Sequence, residues 1–106
     1  MQPPYGKPCR QCPWRRKSAP GLLGPWDARD WLDLAHSDEA IACHLTIPEG
    51  SDGRDTALME QCSGAAIFRG NVAKRPRDKT VIVLPRDDAV FTSNAEFLAH
   101  HEHASV

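Results

Sequence analysis

Apolar residues take up helical spacing immediately after residue 26. Ala28, Trp31, Leu32 and Ala35 occupy i, i+3, i+4 and i+7, the stripe of an amphipathic helix. Pro25-Trp26-Asp27 places a proline and an acid at its start, both favoured there, and the pattern predicts an end around His36-Ser37. Residues 40–47 alternate instead, with Ile41, Cys43, Leu45 and Ile47 on one side and His44 on the other, so a short strand ending at Pro48 is expected. A polar loop follows over 49–56. Residues 62–68 open a second helix, expected to run to about Lys74, whose Gly64, Ala65 and Ala66 allow close backbone approach while Phe68 and Val72 bury a face. The β-branched run 80–84 predicts another strand. Ser93 and Glu96 have capping-box spacing before a last helix in which Phe97, Leu98 and His101 share a face.

Upstream of these elements, Pro3, Pro4, Pro8, Pro13, Pro20 and Pro25 deny the backbone donors that helix or sheet would use. The pattern therefore predicts one small α+β domain over 1–106, with about three helices and short strands. Residues 1–25 form an irregular loop and 26–106 the body.

Length sharpens this picture. At 106 residues the chain is near the lower end of what buries a self-sufficient core, and such chains usually carry a staple, either disulfides or a metal. The N-terminus has no apolar stretch and no run approaches a bilayer span, so no membrane association and a cytoplasmic location are expected. Thiols stay reduced there, which favours metal over disulfide.

Four cysteines supply the candidate chemistry: Cys9 and Cys12 as Cys-x-x-Cys, Cys43 beside His44, and Cys62. A Cys-x-x-Cys turn, here flanked by Pro8 and Pro13, presents two thiolates to one ion, and tetrahedral zinc needs two more N or S ligands. The expected set is Cys9, Cys12, Cys43 and Cys62 around Zn2+, with His44 as an alternative ligand or a neighbour to the site. Strand alternation separates Cys43 from His44, and a thiol at a helix N-terminus ionises more readily, which favours Cys62. Four cysteines equally suit an iron–sulfur cluster.

Other readings use the same residues. Pro8-Cys9-x-x-Cys12 matches half of a zinc deaminase signature, and His100-x-Glu102 offers the other half in reversed order. A hydrolase or deaminase would need an open coordination position, with His44 or Glu49 as base. A thioredoxin-like site fails, since a loop rather than a strand precedes the motif. His100, His101 and His103 suit a helix C-terminus better than a second metal site. No nucleophile–base pair stands out, so no catalytic residue is assigned.

Net charge is −1 with a pI near 6.5, which exerts no global pull toward nucleic acid. The distribution is uneven. Lys7, Arg10, Arg15, Arg16 and Lys17 stand without an acid in residues 1–20, whereas 26–39 carries five acids against Arg29. The two segments either face each other or are solvated. Arg10, Trp14, Arg15, Arg16 and Lys17 form a candidate binding segment in which Trp14 stacks on a base or partner; alternatively, Trp14 packs over the cysteine knuckle.

The stretch from Lys7-Pro-Cys9-Arg-Gln-Cys12-Pro-Trp-Arg to Gly21, together with Cys43-His44-Leu-Thr46, Cys62-Ser-Gly-Ala-Ala-Ile-Phe68 and the Val90–His101 ending, resembles a family of small proteins of unknown function from bacteriophages and prophages. Ser63 stands where that pattern would have Ala. The resemblance implies a shared metal-binding scaffold and a mobile-element origin, and names no activity. The expected function is a noncatalytic phage-type accessory protein with structural zinc. Its expected partner is a host or defence-system protein, or else nucleic acid. A metal-dependent enzyme and an iron–sulfur sensor are the alternatives.

Overall fold

The computed structural model describes residues 1–4, 6–8, 11–24, 26–43, 46 and 59–102. Among these residues, three short helices form one small domain: α1 Ala28–Ala35, α2 Ser63–Asn71 and α3 Asn94–Glu102. Among the described residues, pairing between extended segments is limited to isolated bridges, Gln2 with Glu60, Arg15 with Val90 and Ala42 with Gln61. No helix among them is long and apolar enough to cross a membrane.

The first helix follows its sequence pattern. Asp27 accepts from the Asp30 amide and Asp30 reaches back to the Asp27 amide, a reciprocal cap that satisfies two otherwise orphaned donors. Ala28, Leu32 and Ala35 are buried, with Trp31 and Leu34 packed beside the same core. Trp31 donates its indole N–H to the Leu23 carbonyl at 3.0 Å, tying the preceding loop to α1.

The second helix is different in kind, because eight of its nine residues are buried. Its bare positions explain how it can be surrounded. A Cβ on Gly64 would lie 2.2 Å from Cys12 Sγ, and one on Gly70 would lie 2.1 Å from the Leu84 carbonyl oxygen. Each glycine thus admits a neighbouring segment against the helix backbone, one at each end. α2 stops at Asn71, short of the expected Lys74, in a Schellman arrangement. Lys74 N–H bonds the Arg69 carbonyl at 2.9 Å and Ala73 N–H bonds the Gly70 carbonyl at 3.3 Å. Ala73 takes the left-handed position, at φ 58°, where glycine is the usual occupant.

No strand forms over 80–84, because its backbone groups bond elsewhere. Gln61 Nε2 donates to the Thr80 carbonyl and Gln61 Oε1 accepts from the Ile82 amide. Leu84 N–H bonds the Ala66 carbonyl of α2. In the other expected strand, residues 40–43 contribute the Ala42–Gln61 bridge alone, and most of 44–47 lies outside the described residues. Among the described residues the result is three helices with little strand, in place of helices around short strands.

Two buried polar side chains complete the frame. Arg69, 2% exposed, donates to the carbonyls of Leu34, Ala35, Ser37 and Glu39. These are carbonyls of the last turn of α1 and the turn after it, where helix geometry leaves acceptors over, so one guanidinium caps α1 from the interior of α2. Burial lowers the Arg69 pKa while Asp38 and Cys62 oppose that, and an arginine remains charged. Asn71 performs the same service for 87–91, donating to the Asp87, Val90 and Phe91 carbonyls and accepting from the Asp87 amide.

At the centre, Trp14 is fully buried. It stacks on Phe97 at 4.6 Å and tilts on Phe68 at 4.8 Å, with Trp31 edge-on at 6.4 Å. These contacts join the N-terminal loop to all three helices. Its indole N–H has no hydrogen-bond partner, so it enters the core for its apolar surface.

Two stability measurements follow. Arg69→Met should cost about 3 kcal/mol in urea unfolding, because it removes four bonds at the end of α1, including that to the buried Ala35 carbonyl. Ala73→Gly should raise stability by about 1 kcal/mol by relieving the left-handed alanine, a melting-temperature gain of roughly 4–8 °C for a domain this size.

Candidate metal centre

The N-terminal loop reaches its position through several backbone anchors. Arg15 N–H bonds the Cys12 carbonyl in a tight turn, Arg16 N–H bonds the Ala89 carbonyl, and Phe91 N–H bonds the Trp14 carbonyl. The loop is therefore paired with 89–91 on one side while Trp14 fills the core from the other. Cys12, 1% exposed, is carried by this turn onto the first turn of α2.

Cys62 arrives there from a different direction. It is the N-cap of α2, and its Sγ accepts from the Ala65 amide at 3.5 Å. Its own amide bonds the Ile41 carbonyl, and Cys43 N–H bonds the Glu60 carbonyl. Segments 41–43 and 60–62 thus run side by side for a few residues. Cys12 Sγ and Cys62 Sγ end 3.8 Å apart. The Cys62 thiol is easier to ionise than a free one. The bond from Cys12 does most of this, burial opposes it, and the Ala65 and Gly64 amides and the Arg69 charge reinforce it. Half-buried Cys43 packs against the core cluster that contains both cysteines.

Of the expected ligand set, the structure brings Cys12 and Cys62 together across fifty residues of sequence. Cys9 and His44 lie outside the described residues. Among those that are described, no three His, Cys, Asp or Glu side chains converge on one point. Zinc–sulfur bonds of about 2.3 Å at tetrahedral angles separate two sulfurs by about 3.8 Å, the spacing found for Cys12 and Cys62.

The candidate binding segment has a different fate. Trp14 has no exposed surface and so cannot stack on a partner; it packs in the core, with Cys12 beside it over Gly64. Arg16 is engaged within the chain. It donates to the Asp88 carbonyl at 2.7 Å, to Thr92 Oγ1 at 3.0 Å and to both carboxylate oxygens of Glu96. Glu96 also accepts from the Thr92 and Ser93 hydroxyls. Its carboxyl is held down to about 2, chiefly by Arg16 and then by Thr92. The Glu96 predicted as part of a cap therefore also anchors the loop. Arg15 is half-buried, Lys17 is exposed, and Arg10 lies outside the described residues. The acidic segment is not met by Arg16. Lys74 pairs with Asp38 instead, and α1's Arg29 pairs with Glu102. That ion pair occupies the carboxylate of the deaminase half-motif. Among the described residues, the exposed large apolar side chains are Leu22 and Trp26; Trp26 borders an acidic groove along α1 lined also by Asp30, Asp33, Leu34 and Asp38.

The histidines of α3 fasten the same loop. His101 Nε2 donates to the Pro13 carbonyl at 2.8 Å and its Nδ1 accepts from the Gly21 amide at 3.0 Å. This fixes a neutral tautomer, 4% exposed. His100 Nε2 donates to the Ser18 carbonyl at 2.8 Å. His103 lies outside the described residues. Helix spacing placed His101 on the buried face with Phe97, but its bonds to Pro13 and Gly21 depend on contacts no local pattern records. Arg69, Gln61 and Asn71 left no signal beyond being polar in or next to an apolar helix.

Neither a family model, nor a curated protein, nor a solved structure matches this chain.

Burial pushes the His101 pKa down, with His100 adding to that and the Pro13 bond opposing it. The unfolded chain therefore takes up this proton first, near the ordinary histidine value of about 6.5. The stability held in the loop–α3 clamp should be complete above that pH and decline as pH falls through the folded value. His101→Gln should flatten the slope of unfolding free energy against pH between about 7 and 5, measured beside wild type in matched buffers.

Proposed function

We propose that this chain is a noncatalytic interaction protein whose fold is stapled by a structural metal, with zinc the ion that suits it best. The observation that carries the reading is the 3.8 Å separation of the Cys12 and Cys62 sulfurs, which equals the edge of a tetrahedral zinc–thiolate site. Cys9 supplies the second thiolate of the Cys-x-x-Cys turn, and Cys43 or His44 the fourth ligand. The buried, easily ionised Cys62 suits a thiolate ligand, since a coordinated thiol is deprotonated. A structural role fits the surroundings. The pair is buried at the join of the loop and α2, close to Trp14.

The biological setting is that of the mobile-element proteins the sequence resembles: an accessory factor that binds a host or defence-system protein, or nucleic acid. With Trp14 and Arg16 committed to the fold, recognition falls to exposed groups on either side of the loop, Lys7 and Lys17 on the basic side and Leu22 and Trp26 on the other.

Elemental analysis of freshly purified protein should find one zinc per chain, and chelation should lower the melting temperature steeply. Gly64→Ala is the sharpest variant. Alanine favours a helix over glycine by about 1 kcal/mol, yet its Cβ would displace Cys12 Sγ from 2.2 Å. Zinc occupancy should therefore fall along with stability. A protein free of zinc and iron whose stability ignores chelator would overturn the metal reading. A pull-down from host lysate with Lys7→Glu/Lys17→Glu beside wild type tests the binding role.

A further inference from the structure

The groove along α1 is lined by Trp26, Asp30, Asp33, Leu34, Asp38 and Glu39, and its chemistry suits an arginine. Trp26 is 45% exposed, with its ring held against Trp31 at a centroid distance of 4.9 Å. The indole is thus fixed from one side and open beside the acids, a setting in which a guanidinium gains from the ring and from the carboxylates together. Asp33 and Glu39 are exposed, and among the described residues neither carboxylate is used by a bond or an ion pair.

A basic counterpart lies at the edge of this groove. Residues 74–79 carry Lys74, Arg75, Arg77 and Lys79 against Asp78. Bonds fix the course of this loop. Lys74 Nζ pairs with the Asp38 carboxylate at 3.4 Å, and the Arg77 amide donates to the same oxygen at 2.9 Å. Asp78 is occupied locally, accepting from the Thr80 amide and hydroxyl at 2.9 and 2.7 Å, while Gln61 holds the Thr80 carbonyl. A loop ordered in advance loses little freedom on binding. Arg75, Arg77 and Lys79 are exposed, and among the described residues their side chains make no bond or ion pair.

We propose that the α1 groove and the 74–79 loop are two halves of one self-complementary surface, through which two copies of this chain pair about a two-fold axis. Arg75 and Arg77 of each copy enter the groove of the other, between Trp26 and Asp33. Asp38 lines the groove and also bonds the loop, so the two halves lie side by side. A two-fold axis along their border sets each half over its counterpart. The loop does not cover its own groove in this way. Its backbone is tied at Asp38, whereas Trp26 stands at the opposite end of α1, which rises about 12 Å between them. A net charge of −1 sets up little long-range repulsion between copies. The inference deepens the interaction reading by naming what covers Trp26, and it needs no metal.

Sedimentation velocity of the full chain, from micromolar to millimolar concentration, tests the pairing. The expected result is a dimer in low salt that dissociates in about 1 M sodium chloride, where exposed charges are screened beyond about 3 Å. Asp33→Lys and Arg77→Glu should each weaken it by about a hundredfold, because each reversal occurs twice in a two-fold dimer. The fold uses neither side chain, so both variants should melt near the wild-type temperature. Mixing decides the matter. In equal amounts the two variants should form a heterodimer, since the reversed groove of one then faces the reversed loop of the other. A chain that stays monomeric, a dimer indifferent to both reversals, or a mixture that does not pair would overturn the proposal. So would a monomer whose groove takes up a synthetic Arg-Pro-Arg peptide, because the occupant would then belong to another protein. None of these outcomes touches the lysate pull-down, which tests the interaction reading through Lys7 and Lys17.

Discussion

Everything in this small domain is arranged around the nearness of other backbone to α2. A nine-residue helix with eight residues buried must be enclosed on nearly every side, and its two glycines decide where the enclosing chain comes closest. At Gly64 the N-terminal loop lays Cys12 on the first turn, and at Gly70 the 82–86 segment passes over the last. Side chains at those points would hold both segments away, and the aromatic layer of Trp14, Phe68 and Phe97 would open with them. The loop's close approach also brings two distant thiols within one coordination edge, so the packing and the candidate chemistry share a single cause.

With so little regular secondary structure, the domain must satisfy its backbone groups by other means. Polar side chains stand in for missing ladder partners. Gln61 bonds 80–82 as a neighbouring strand would, Asn71 gathers the turn at 87–91, and Arg69 closes the end of α1. Each is placed within or next to α2, so the central helix organises its surroundings through directional bonds as well as through volume. A buried amide or guanidinium with all its bonds made stabilises a unique arrangement, and any one left unmade is costly. Proline-rich segments without a sheet can therefore hold a defined course.

The N-terminal loop is fixed from two directions. On the α3 side, Arg16 grips Glu96 and Thr92, while His100 and His101 take loop carbonyls. On the α2 side stand Trp14 and the facing sulfurs of Cys12 and Cys62. The clamp to α3 is polar and sensitive to protons. The junction with α2 is apolar, with the two sulfurs buried inside it.

The amino-acid sequence by itself determined the three helices and where they start. Apolar spacing after Asp27 and the Ser93–Glu96 cap are local signals, and local hydrogen bonds realise them. It also marked the cysteines as unusual, since a Cys-x-x-Cys turn among prolines has no place in an ordinary core. Tertiary structure alone decided that 80–84 would bond to Gln61 and α2 instead of forming a strand. It also took Trp14 and Arg16 from a binding surface into the framework, and brought Cys12 to Cys62. The division has a physical reason. Helix spacing and caps act within a few residues and are written in the order of the chain. The course of a strandless loop depends on which distant carbonyl, amide or bare glycine happens to face it, and that is settled only when the chain has closed on itself.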